Sequence, residues 1–142
     1  MRILVMVLLG GLLTGCAAMK EANYKNIFTI AYGQEAEQTA PNTYEVSFRF
    51  IVFPGANRAQ ERESLFTGLQ GALARKGKDL GYLSMQLQIC EGKRGRAGGS
   101  YYISGECVAR MLRAEDPVGS GAILIEDALA KAEARKATLE RL

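Results

Sequence analysis

The segment from Thr43 to Phe53 constrains the fold more than any other part of the chain. Tyr44, Val46, Phe48, Phe50 and Val52 recur at every second position, with Glu45, Ser47 and Arg49 between them. Successive side chains of a strand point to opposite faces, so this run predicts a strand with one apolar and one polar face. An apolar sheet face needs a second layer over it. Ile51 and Phe53 break the alternation, which predicts an end that is bulged or buried on both faces. Pro54-Gly55 stops the strand. The covering layer follows directly, as a helix from about Arg58 to Leu80 with Asn57 as its cap. Leu65, Phe66, Leu69, Ala72, Leu73 and Leu80 make one apolar stripe along it. Gly68 and Gly71 each cost about 1 kcal/mol against Ala inside a helix; their spacing allows a close approach to the sheet, the alternative being tolerated surface glycine. Gly77 and Gly81 mark the helix exit.

A hairpin is expected next. Tyr82 to Cys90 alternates apolar and polar side chains, and Tyr101 to Leu112 carries Tyr101, Tyr102, Ile103, Val108 and Met111. Between them, Glu91 to Ser100 holds four glycines, which argues against regular strand there. Setting Cys90 opposite Cys107 brings Ile89 against Val108, Leu87 against Arg110 and Met85 against Leu112. Arg110 is the misfit, although its aliphatic stem can cover apolar surface. A slip of one residue would put the two cysteines on opposite faces. Opposed residues of an antiparallel pair come within disulfide reach, and closing this loop is worth about 3 kcal/mol in the chain-entropy model. The alternative, a redox-active or metal-binding pair, lacks C-x-x-C spacing and any His or further thiol as ligand.

The remaining segments complete the layout. Ile27, Phe28, Ile30 and Tyr32 suggest a first strand over 24–32, Gly33 to Asn42 is a polar loop, and a second helix runs from about Gly121 to Leu142. Ile125, Leu129, Ala132 and Leu139 give that helix a thin stripe, so its inner half is expected to dock and its end to fray or meet a partner. The expected fold is α+β: a small, mainly antiparallel sheet in the order β-β-α-β-β-α, with helices packed on one face. Residues 24–142 form one domain on this reading.

The front of the chain is an address. Met1-Arg2 precedes an apolar run from Ile3 to Leu13, too short for the ~20 residues a spanning helix needs and ordered like a secretory signal. The run ends in Leu13-Thr14-Gly15-Cys16, which resembles the lipobox of bacterial lipoproteins. The resemblance implies cleavage before Cys16, diacylglycerol on its thiol and acylation of the new amino terminus, typically with palmitate. It makes residues 1–15 a lipoprotein signal peptide and 16–23 a lipidated linker. The plain alternative is a signal peptide with Cys16 merely near its cleavage site. Ala17 and Ala18 follow without an Asp at the second position, a pattern that in Gram-negative lipoproteins implies the periplasmic face of the outer membrane, with the inner membrane as alternative. Cys90 and Cys107 then lie where disulfides persist. The stretch Tyr44-Glu45-Val46-Ser47-Phe48, a long helix and Gly81-Tyr82 is similar to small periplasmic lipoprotein domains of unknown role, and no functional residue is carried over from them.

Chemistry is sparsely signalled. The chain has no His, which removes imidazole bases and imidazole metal ligands. Its net charge of +3 is too mild to argue for nucleic acid. Lys93, Arg94 and Arg96 sit among glycines and are expected at a cationic hairpin tip that touches headgroups, glycans or a protein, or simply stays solvated. Gly92, Gly95 and Gly98 are no phosphate loop. Glu61 and Glu63 do not face each other on a helix, Glu115-Asp116 reads as a turn, and Ser64 and Ser104 lack a base. The six tyrosines make either a patch or packing at sheet margins. No catalytic residue, cofactor or metal site is expected. The reading is a lipid-anchored, non-catalytic interaction module of the cell envelope with a protein partner; the alternative is a binder of a small molecule or glycan. A hydrolase without His ranks last and needs two carboxylates facing each other in a cleft.

Overall fold

The computed structural model describes residues 23–52 and 57–141. The expectations for the leader, for Cys16, Ala17 and Ala18, and for Pro54-Gly55 lie outside these residues. The described chain opens with a helix, α1, over 23–32, where a strand was expected. Asn23, Ile27, Phe28 and Ala31 are its buried positions, a helical recurrence, whereas Ile30 is exposed. A short strand follows, β1 (Glu37–Ala40), inside the expected loop. It turns through Pro41-Asn42 into β2 (Thr43–Val52). Asn42 takes a positive φ of 57°, the sign that a type II turn has at its second central position and that Asn tolerates better than most residues.

The strand β2 has the predicted alternation: Tyr44, Val46, Phe48 and Val52 are buried. Its end is not buried on both faces, because Ile51 is 68% exposed. Helix α2 (Arg58–Asp79) starts at Asn57, whose side chain accepts from the amides of Ala59 and Gln60. Leu65, Leu69, Ala72 and Leu73 pack on the sheet, while Leu80, expected in the stripe, is exposed. The chain continues through β3 (Ser84–Ala97), β4 (Ser100–Leu112), β5 (Ile123–Leu124) and α3 (Ile125–Glu140). The five strands form an antiparallel sheet in the order β1-β2-β4-β3-β5, and the fold is α+β.

The hairpin departs from the expected register in an instructive way. Cys90 pairs with Cys107 and Ile89 with Val108, but a bulge lies between Leu87 and Ile89. Beyond it Leu87 meets Ala109 and Met85 meets Met111. The extra residue, Gln88, removes the Arg110 misfit, since Arg110 now opposes Gln86. It also reverses which residues face the core, so Met85 and Leu87 share the inner face with Cys90 while Ile89 turns outward. The glycines of 91–97 do not interrupt the strand. Gly92 opposes Gly105, and a Cβ at Gly105 would lie 2.7 Å from Leu65 Cδ1. Bare backbone is therefore what lets α2 settle on the sheet. Gly98 and Gly99, both at positive φ, form the two-residue turn.

Gly68 and Gly71 serve other helices, not the sheet, and Gly77, expected at the helix exit, lies buried inside α2 against Ile125 and Met111. A Cβ at Gly68 would meet Ala31 Cβ at 2.8 Å, and one at Gly71 would meet Ala132 Cβ at 2.7 Å. Thus α1 and α3 pack against α2, which itself lies on the sheet. Helix α3 does not fray at its end: Leu139 is buried and packs in one cluster with Phe28 and Ala132.

Candidate functional site

The bulge at Gln88 decides where the three hairpin cations go. From Cys90 onward the even positions of β3 face the helices and the odd positions face away. Lys93, Arg94 and Arg96 therefore lie within strand β3, not on a tip, and point to two different faces. Arg94 reaches under the first turn of α2 and bonds Glu61, whose side chain is 1% exposed. Asn23 of α1 donates to the other carboxylate oxygen at 3.3 Å. Burial raises the Glu61 carboxyl above its usual range, and the attraction of Arg94 and then Arg58 opposes this without cancelling it. A buried ion pair is strongly destabilising to break from one side, by roughly 3–5 kcal/mol. Arg94 thus locks the sheet to α1 and α2. Beside it a cavity of about 150 Å³ is lined by Arg58, Arg62, Leu65 and Ile103.

The other cations remain near the surface. Arg96 lies 5.0 Å from the Tyr101 ring centroid, Arg49 lies 3.8 Å from that of Tyr102, and Arg62 lies 5.0 Å from that of Phe66. Each contact holds a guanidinium stem against an aromatic face and leaves its edge for an anion.

The face of the sheet turned away from the helices is banded by charge. Glu45 opposes Glu37 on β1, and Glu106 opposes Glu91 on β3. One step along the strands, Arg49 and Lys93 flank Ser104. A groove of about 420 Å³ runs between the bands, lined by Ser47, Arg49, Glu91, Lys93, Ser104 and Glu106. Glu45 is held above its ordinary carboxyl value chiefly by a hydrogen bond with Glu106, then by partial burial and the charges of Glu106 and Glu37. These carboxylates project side by side from neighbouring strands on the open face of the sheet.

The other sequence candidates are dispersed. Cys90 and Cys107 form a disulfide with Cα atoms 4.0 Å apart, on the inner face. Ser64 is buried and accepts from Arg135 at 2.9 Å, and Glu63 is exposed. Asp116 accepts from the Arg113 amide at 2.7 Å in a turn. The tyrosines do not gather. Tyr44 meets Tyr82 edge-on, Tyr32 stacks on Phe28, Tyr24 accepts from the Asn57 amide, and Tyr102 stands on the open face. Among the described residues no three His, Cys, Asp or Glu side chains are placed to hold a metal ion, and no helix is long and apolar enough to cross a membrane.

Sequence reasoning missed Glu106, Arg58 and Arg62 as members of these surfaces. Glu45 and Arg49 were visible as the polar side of β2, but the neighbours they meet on β4 lie more than fifty residues away. No protein-family model, curated protein or solved structure matches the chain.

Proposed function

We propose that the chain is a lipid-anchored, non-catalytic module of the bacterial cell envelope, tethered through Cys16 on the periplasmic side, which engages a protein partner through the open face of its sheet. The observation that carries this reading is the Cys90–Cys107 bridge. Such bonds persist outside the cytosol, which agrees with the signal and lipobox pattern that ends in Leu13-Thr14-Gly15-Cys16. With Cys16 acylated, every thiol of the chain is accounted for. The open face adds a banded charge pattern able to fix the register of a partner. The Ala17-Ala18 sequence supports the outer membrane, with the inner membrane as alternative.

Cells making this polypeptide are expected to incorporate radiolabelled palmitate, and Cys16→Ala is expected to abolish both the label and firm membrane retention. A second reading, a binder of a small polar molecule or glycan, draws on the 420 Å³ groove with Arg49, Glu91 and Glu106 in its wall.

A further inference from the structure

We infer that the end of the molecule bearing the β3–β4 turn docks on an anionic phospholipid surface, so that the module lies against its membrane in one orientation. This inference rests on the proposed tether at Cys16. Helix α1 enters the fold at that end: Asn23 bonds Glu61 at the start of α2, and Tyr24 accepts from the Asn57 amide. Only six residues separate Cys16 from Asn23, so the tether reaches at most about 25 Å. A body of this length is about 35 Å across. The tether is therefore too short to present the opposite end to the bilayer.

The chemistry of the tethered end suits that surface. Arg49, Arg58, Arg62, Lys93 and Arg96 are all exposed there. The buried acid, Glu61, is already matched by Arg94, and the other acids near these cations are Glu63, Glu91 and the half-buried Glu106, three against five, which leaves a surplus of positive charge. Ile51, 68% exposed, lies beside Arg49, Ala97 and Tyr102. An apolar side chain and a tyrosine ring among cations form the pattern of a surface that sits at headgroup depth.

The test uses the mature chain carrying Cys16→Ser, so that acylation plays no part. It is expected to sediment with vesicles of phosphatidylglycerol and phosphatidylcholine, to ignore pure phosphatidylcholine, and to release as salt rises. Each cation near an anionic surface is worth about fivefold in binding. Arg58→Gln/Arg62→Gln/Arg96→Gln should thus bind roughly 100-fold more weakly; Arg96→Gln alone, which leaves the surroundings of Glu61 intact, should bind about fivefold more weakly with unchanged thermal unfolding. Lys78→Gln/Arg110→Gln/Lys131→Gln removes the same charge elsewhere and should bind as the parent does. Equal binding to neutral vesicles, no binding to anionic ones, or equal loss in both triple variants overturns the proposal. So does a preference for dextran sulfate over vesicles, which would assign the face to an anionic glycan. Palmitate labelling of the unmodified chain reports on the tether independently.

Discussion

Glu45 shows how a single side chain on the open face contributes to the pH response. Its neighbours Glu37 and Glu106 are acids, and like charges side by side on a sheet are destabilising. Its carboxyl is held above the ordinary value, so the folded chain binds this proton more tightly than the unfolded chain does. The associated stability is complete below the ordinary carboxyl value and is lost as pH rises through the raised one. Glu45→Gln keeps a hydrogen-bonding group without the charge. It is expected to raise the melting temperature at pH 7 and to flatten the fall in stability between the carboxyl range and neutrality, followed by thermal unfolding across pH. A lower melting temperature at pH 7 would show that the charge is compensated. Glu61 shifts in the same direction, but its removal strands Arg94 in a half-buried site, so the two glutamates are not interchangeable.

At the scale of elements, the β3–β4 hairpin is the most heavily determined part of the fold. A bulge sets which side chains face inward, a glycine pair admits α2, and the disulfide closes a loop between residues 17 apart. Loop closure of this length is worth about 3 kcal/mol. Reduction, or the double change Cys90→Ala/Cys107→Ala, should lower stability by about that amount. Urea unfolding with and without reductant measures it, and the reductant should have no effect on the double variant. Cys107 is fully buried beside the leucines of α2, so the bridge also fixes core packing, and a larger loss would be assigned to that. The same bulge turns Arg94 toward the helices, where it binds them to the sheet, and leaves Lys93 to meet solvent.

For the molecule as a whole, α3 is part of the core and not a projecting arm. Ile125, Ala128, Ala132 and Leu139 are buried along its full length, and Arg135 donates to Gln60 and Ser64 of α2. Truncation before Ile125 uncovers Met111, Gly71 and Phe28 together. Burying a large apolar side chain is worth about 1.5–3 kcal/mol, and a domain is stable by only about 5–15 kcal/mol in total. A chain ending at residue 124 is therefore expected to lose cooperative unfolding, seen as a sloping rather than sigmoidal circular-dichroism melt. A sharp melt would show that the sheet and α2 suffice alone.

What the sequence determined by itself was local in origin. The two-residue period of β2, the capped stripe of α2 and the pairing of Cys90 with Cys107 each depend on neighbouring residues or on one constraint that tolerates no slip. Tertiary structure decided the rest. Segment 23–32 became helix because Asn23 and Ala31 find partners on α2 and Phe28 finds them on α3, and its short apolar run carries no period long enough to say so alone. Gly92, which read as loop, became strand because Leu65 and Phe66 of α2 occupy the space above it. Which cations of β3 face the helices was decided by one inserted residue that reversed the pleat, and Arg94 met Glu61 across thirty-three positions of chain. Such contacts depend on register and on which surfaces meet, and neither quantity is a property of a segment taken alone.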